Sequence, residues 1–238
     1  MQAVKTDTFD RPKVKYSEAG LRLKKSLDSN GVEWRKPELN DIEPLPEEII
    51  AKLAGADKTA GSCASLAYAY AGNVCGYNVL DFRGGVSRSI FSTARDDIVK
   101  MKGVISKSEA GRGIRAAKKL LAQMEDGKEY ILSTGSHAAV CRIRNGVTEF
   151  LELQSSTLNG WKPFEYDKTY SPGTYYERTV HINTSETLKD RFGCKGGKWP
   201  SYLIDISSFV WSDEFRDILG YINTAPESQQ KGAGGGIK

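Results

Sequence analysis

The stretch Gly135-Ser-His-Ala-Ala-Val-Cys-Arg-Ile-Arg-Asn-Gly-Val-Thr-Glu-Phe-Leu-Glu-Leu-Gln154 decides how this chain is read. Two β-rich runs flank Asn145-Gly146, and a type I′ turn needs positive φ at both central residues, so Asn-Gly predicts a two-residue hairpin. A register follows from that turn. Arg144 pairs with Val147, which sets Arg142 opposite Glu149, Val140 opposite Leu151, Ala139 opposite Glu152 and His137 opposite Gln154. Because side chains alternate along a strand, His137, Ala139, Cys141 and Ile143 share one face with Thr148, Phe150, Glu152 and Gln154. Ala138, Val140, Leu151 and Leu153 take the other.

Opposed Cβ atoms lie about 5 Å apart and diagonal ones about 7 Å, so His137 is within reach of Gln154 and of a long Glu152 side chain. An imidazole held through one ring nitrogen has the other for proton transfer. For that to act on a nucleophile, the His137 face must look toward the element carrying it. His181, in Thr179-Val-His-Ile-Asn183, is the competing base, and no turn fixes an acidic residue beside it.

The nucleophile is sought upstream. From Ala64 to Val74 small and apolar residues run without a charge, which predicts a helix buried on most sides, begun near Gly61-Ser62-Cys63 and closed by Gly76. A strand, Tyr77 to Phe82, follows. At the helix start, unsatisfied N–H groups and the dipole favour an anion, so a thiol at Cys63 is lowered in pKa and an oxyanion can be held beside it. Cys75, near the electronegative end, is the poorer candidate. The bland reading of Cys63 is a small core residue.

With 238 residues, 39% hydrophobic and 27% charged, the chain has the length and composition of an ordinary globular protein. Its 34 basic and 30 acidic residues leave a formal charge of +4, spread along the sequence, so no strong nucleic-acid signal is present. Cys63, Cys75, Cys141 and Cys194 lack metal-ligand spacing and there are two histidines, so neither a metal nor a cofactor is expected. No run approaches a membrane span, and reduced thiols suit the cytoplasm of the producing cell, with the virion or delivery into a target cell as the alternatives.

Residues 1–45 read as an N-terminal arm or linker, with a helix near Ser17 to Leu27 whose Leu21, Leu23 and Leu27 form one apolar stripe. Residues 46–225 read as the folded domain, opening on a short helix from Glu47 to Leu53, and 226–238 as a flexible Gly-rich tail. Between the two motifs, Arg83 to Ser89 forms a turn and a helix runs from about Ser108 to Met124. Within it Gly111-Arg112-Gly113-Ile-Arg-Ala-Ala117 imitates a dinucleotide fingerprint, with no strand expected before it. Ser155 to Pro172 reads as a loop whose Trp161, Phe164, Tyr166 and Tyr170 tuck under to seal the core. A helix capped at Ser185 reaches Phe192, a strand spans Tyr202 to Ile206, and Asp205 or Ser207 caps a last helix to Leu219.

Taken together these residues resemble the papain-like fold found in bacterial polymorphic toxins and in minor head proteins of phages and prophages. There a cysteine opens a buried helix that runs through an Ala-Tyr step into Gly-Tyr-(Asp or Asn)-Val, matched here by Cys63, Ala69-Tyr70 and Gly76-Tyr77-Asn78-Val79. A His then starts a strand and an Asp-x-Gln lies on the next, where this chain has His137 and Glu152-Leu153-Gln154. The resemblance covers roughly residues 55–160. This chain has Leu66 where the family often has a second cysteine, and Glu152 in place of Asp.

The resulting expectation is an α+β, papain-like cysteine hydrolase, with a nucleophile-bearing helix packed on an antiparallel sheet that contains the 137–154 hairpin. Cys63 attacks a carbonyl carbon, His137 moves the proton and Glu152 orients the imidazole. Gln154 shares that role or donates to the oxyanion. The resemblance implies a protein or peptide substrate, cleaved at a peptide or isopeptide bond or deamidated at glutamine. It also implies phage-particle or toxin-delivery components as partners. The rival reading is a structural or interaction component of a phage or prophage particle without turnover.

Overall fold

Asn145 and Gly146 take φ of 53° and 76°, so the hairpin closes through the two-residue turn that the sequence predicts. The computed structural model describes residues 11, 13–53, 63–79, 85–111, 113–154, 160–170, 177–195 and 200–222, with backbone alone at 85–88. In chain order its helices are α1 (Glu18–Ser29), α2 (Pro46–Leu53), α3 (Cys63–Val74), α4 (Gly85–Thr93), α5 (Arg95–Ile98), α6 (Gly113–Leu121), α7 (Thr184–Asp190) and α8 (Asp213–Ile222). The strands are β1 (Glu38–Leu39), β2 (Tyr77–Asn78), β3 (Ser106–Glu109), β4 (Glu129–Thr134), β5 (His137–Arg144), β6 (Val147–Glu152), β7 (Gly160–Pro163), β8 (Tyr166–Tyr170), β9 (Arg178–Ile182) and β10 (Ser201–Asp205). A 3₁₀ helix spans Ile206–Trp211. This is an α+β protein.

Six strands form one antiparallel sheet in the order β3-β10-β4-β5-β6-β7, and β8 and β9 form a separate hairpin. Both faces of the six-stranded sheet are covered. Ile131, Ala138, Val140, Leu151, Leu153 and Ile204 pack with α3 and, beyond it, with residues of α1, α2, α4 and α8. Tyr130, Leu132, Ala139, Cys141, Phe150 and Leu203 face α6, α7, Phe164 and Phe192. Alternation along β5 therefore feeds two cores, one on each side.

The helix α3 is buried at every position from Ala64 to Asn73, which explains a run of small and apolar residues with no charged face. Its one buried amide is satisfied: Asn73 Nδ2 donates to the carbonyls of Ala69 and Val79 at 2.8 and 2.7 Å, and Lys52 Nζ donates to Asn73 Oδ1 at 2.8 Å.

The described residues of the segment read as an arm, 11 and 13–45, are built into this architecture. Ser17 caps α1 by accepting the Gly20 N–H at 3.1 Å, and its own hydroxyl donates to the buried Glu214 carboxylate at 2.7 Å. Leu23 and Leu27 are fully buried in the α3 core, whereas Leu21 is exposed, because two positions along a helix turn a side chain to the far side. Arg11 pairs with Asp217 of α8 and donates to Tyr221 Oη at 2.9 Å.

Several local expectations are corrected. Ser106–Glu109 is an edge strand, so the helix expected from Ser108 begins at Gly113. A strand does precede Gly111, but it is antiparallel to its partner β10, so the βα context of a dinucleotide site is missing there. The loop expected over Ser155 to Pro172 contains β7 and β8. Phe164 is buried and Trp161 half-buried, while Tyr170 is exposed. The cap of α7 is Asn183, whose Oδ1 accepts from Ser185 and Glu186 while Glu186 answers with its carboxylate. Asp205 caps the 3₁₀ helix, and α8 follows to Ile222. The expectations for Gly61-Ser62, for the strand end at Phe82, for Arg83-Gly84, for Arg112 and for the tail 226–238 fall outside the described residues.

Candidate active site

Cys63 is the first residue of α3 and His137 the first of β5. Glu152 is the last residue of β6, and Gln154 follows it by two. These four residues line one narrow cleft, together with Leu66 and Ala67 of α3, residues 138–140 of β5, Leu151 and Leu153. Its volume is about 10 Å³, room for about one water molecule.

The cleft exists because the hairpin comes apart. Pairing between β5 and β6 runs from Arg144↔Val147 to Cys141↔Phe150 in the register that the turn predicts, and there the ladder ends. Beyond that point β5 stays on β4 as far as Thr134↔His137, and β6 stays on β7 as far as Glu152↔Gly160. The pairs expected at Val140/Leu151, Ala139/Glu152 and His137/Gln154 are thus not part of the ladder. Two strands with loyal outer partners have separated, and α3 lies over the gap.

A second expectation is overturned more directly. The face carrying His137 was expected to look toward the start of the Cys63 helix. Instead α3 packs against the Ala138/Val140 face, and the His137 ring meets Phe192 edge-on, with centroids 5.2 Å apart and planes at 78°, on the side of α6 and α7. Cys63 and His137 therefore reach the cleft from opposite faces of the sheet. Only because β5 and β6 diverge do they share it at all.

The electrostatics of His137 follow from this position. Burial lowers its pKa from the ordinary histidine value, the Glu152 charge raises it, and Arg191 adds a smaller lowering. The imidazole is held toward its neutral form, the form in which it can accept a proton. Glu152 acts on it through charge, and no hydrogen bond joins them among the described residues. The Glu152 Oε1 instead accepts the backbone N–H of Gln154 at 2.8 Å, which fixes the carboxylate at the mouth of the cleft.

Cys63 is half-buried. The Tyr68 phenol is pushed well up, mainly by burial and secondarily by the charge Cys63 bears when ionised. The other three thiols are suppressed by burial: Cys75 is pushed up to about 11, and Cys141 and Cys194 are both raised.

His181 has an acidic partner after all. Cross-strand pairing places Asp167 directly opposite it, with His181 Nδ1 2.9 Å from Asp167 Oδ1. Both side chains are mostly exposed on the β8–β9 hairpin, and neither lines the cleft of Cys63. The sequence missed this pair because β8 lies inside the segment read as loop.

It also missed Phe192 and Arg191, which shape the surroundings of His137 from 54 or more positions away. The Phe192 carbonyl accepts the Ser136 N–H at 2.9 Å. Gly135, at φ 58°, packs so close to that carbonyl that a Cβ there would collide with it. The available signal was Gly193, a helix-terminating glycine at φ 64°, which marked a sharp turn but not what it would clasp.

Among the described residues, no group of three or more His, Cys, Asp or Glu could hold a metal ion, and no helix is long and apolar enough to cross a membrane. Comparison of the chain with protein-family models, with curated proteins and with solved structures finds no match.

Proposed function

We propose that this protein is a papain-like cysteine hydrolase acting on protein amide bonds. The observation that carries the reading is the convergence of Cys63, His137, Glu152 and Gln154, from three separate stretches of the sequence, on one cleft. Cys63 begins a long buried helix, where the dipole favours a thiolate. His137 is biased toward its neutral form by burial and takes the thiol proton. The thiolate attacks the amide carbon, and the amine or ammonia leaves with the proton that His137 returns. Water then hydrolyses the thioester. Backbone N–H groups at the α3 terminus, with Gln154 beside them, suit the oxyanion.

The order of elements also supports the reading, since a cysteine-bearing helix precedes an antiparallel sheet whose strand begins with histidine and whose neighbouring strand ends in a carboxylate. Peptide cleavage, isopeptide cleavage and glutamine deamidation all pass through the same thioester. Association with a phage particle or a toxin-delivery system belongs to the same proposal.

A second reading, a structural or interaction component of such a particle without turnover, is favoured by one specific observation: the His137 ring lies on the side of Phe192 and away from α3. The deciding experiment incubates the full chain with a denatured proteome digest and follows new peptide termini and glutamine deamidation by mass spectrometry. Products that appear with the wild type and vanish with Cys63→Ala support the hydrolase. Identical digests with both proteins support the inert component.

A further inference from the structure

Two surface regions expose apolar side chains, and their rims carry opposite charge. From the end of β1 through the turn before α2, Leu39, Ile42 and Leu45 are 70%, 82% and 62% exposed. Large aliphatics this open occur three times in seven residues, in a segment tied to the end of α3 by the Asn40 N–H donating to the Gly76 carbonyl at 2.8 Å. The rim is acidic: Glu38, Asp41, Glu43, Glu47 and Glu48 are all exposed, and no Lys or Arg occurs between Pro37 and Ala51.

The second region lies where the chain before β3 runs beside the 3₁₀ helix. Ile105 is 61% exposed and Trp211 78%. The two segments touch, since the Ile105 N–H donates to Ser208 Oγ at 2.9 Å and Gly103 abuts the Trp211 carbonyl so closely that a Cβ could not be added. Here the rim is basic. Lys100, Lys102 and Lys107 are exposed, with no acidic residue between Val99 and Lys107; of the two carboxylates beside them, Asp205, whose N–H donates to the Ile105 carbonyl, turns its Oδ1 to the N–H and hydroxyl of Ser207, and Asp213 is paired with Arg216.

We propose that these patches are complementary halves of one self-association contact, the basic Trp211 patch of one copy docking on the acidic Ile42 patch of a second. An exposed Trp and Ile are the kind of anchors that dominate interfaces. Their exposure to water is relieved only by a partner, and the opposite rims favour a patch meeting its counterpart over a patch meeting itself. If both halves of each copy are used at once the pair is two-fold and isologous; if each copy uses one half per neighbour the contact is heterologous and closes into a ring or extends as an array. This surface is independent of the chemistry proposed for Cys63.

Sedimentation velocity on the full chain, from micromolar to about 1 mM, tests it. The expected result is reversible association that weakens as salt is raised. Ile42→Glu and Trp211→Ala should each weaken it by roughly tenfold or more. Glu43→Lys and Lys102→Glu, both at exposed positions, should each impair it alone, and an equimolar mixture of the two variants should recover association through the swapped pair. A chain monomeric across the range, or association untouched by these substitutions, overturns the proposal. So does a chain that stays monomeric but binds phosphatidylserine vesicles through Trp211, which would assign the basic patch to a lipid surface.

Discussion

The ring of Phe192 stands edge-on to the imidazole of His137 at 5.2 Å while its backbone carbonyl accepts the N–H of Ser136 at 2.9 Å. One residue thus grips both the corner that starts β5 and the side chain at its first position. Phe192 is itself fixed by Phe150, Phe164 and Leu188 in the second core. The placement of the proposed base is set by the far layer of the protein.

Replacing Phe192 separates that positioning from simple packing. Phe192→Ala should cost about 3–5 kcal/mol, as expected for removing a fully buried aromatic ring. Phe192→Leu should cost about 1–2 kcal/mol and leave the fold intact, yet it removes the edge against which the imidazole rests. Chemical denaturation measures the first effect. Reactivity of Cys63 in folded Phe192→Leu measures the second, and it should fall while the stability loss stays small.

Glu152 and Glu149 sit three residues apart on β6 and should behave differently. Glu149 accepts from Arg142 Nε at 2.8 Å, in a cluster that also holds Glu129, Tyr70 and the Trp161 ring beneath the guanidinium. None of these lines the cleft with His137. Glu149→Ala should lower stability by about 1–2 kcal/mol, since it strips a charged hydrogen bond from a mostly covered Arg142, and leave turnover nearly unchanged. Glu152→Ala should lower turnover, by less than Cys63→Ala or His137→Ala. Purified variants compared by melting curve and by product formation check both halves.

Folding lowers the pKa of His137, through burial first and Arg191 last, with Glu152 opposing. The unfolded chain therefore binds this proton more readily, near the ordinary value of about 6.5. The stabilisation is complete above that value and is lost as pH falls from it toward the lower folded pKa. Urea unfolding between about pH 5 and 7.5 should show stability rising with pH, and His137→Gln should flatten the rise. Glu129, raised by burial, contributes with opposite slope just above the usual carboxylate range, and it is common to both proteins.

Local chemistry made parts of this fold legible. Asn145-Gly146 dictated the turn, and the turn dictated pairing as far as Cys141/Phe150. The unbroken small-apolar run dictated a buried α3. What sequence could not supply was competition between strands. Gly160-Trp-Lys-Pro163 has no alternation to announce a strand, yet β7 draws the end of β6 away from β5 and opens the cleft. Ser106-Lys-Ser-Glu109, polar throughout, carries no period of either kind and is a strand only because β10 offers it an edge. The four candidate residues were legible from their chemistry, but the pairs meant to join His137 to Gln154 and Ala139 to Glu152 are not in the ladder. The face His137 takes depends on which layer packs where, and nothing within twenty residues of it encodes that.

The N-terminal segment should prove integral to stability. Arg11 pairs with Asp217, whose side chain is 3% exposed, and its guanidinium also lies over the Trp34 and Tyr221 rings. Arg11→Ala leaves that carboxylate with Tyr16 as remaining partner. The cost should be on the order of 2–3 kcal/mol, below the 3–5 typical of a broken, fully buried pair because Arg11 is partly open to water. Thermal unfolding of Arg11→Ala should show a single transition at lower temperature. An unchanged melting curve would mean that the segment adds nothing to the domain.

The central claim is that His137 activates Cys63 across the cleft between β5 and β6. Its most direct measurement is the pH dependence of alkylation at each cysteine, resolved by peptide mass spectrometry, in wild type and in His137→Ala. The account predicts that Cys63 labels fastest at mildly acidic pH, well ahead of Cys75, whose thiol is pushed up to about 11, and of the buried Cys141 and Cys194. In His137→Ala the Cys63 profile should move up toward that of an ordinary thiol, near 8.5. Cys63 labelling no faster than Cys75, or a profile unmoved by His137→Ala, would contradict it.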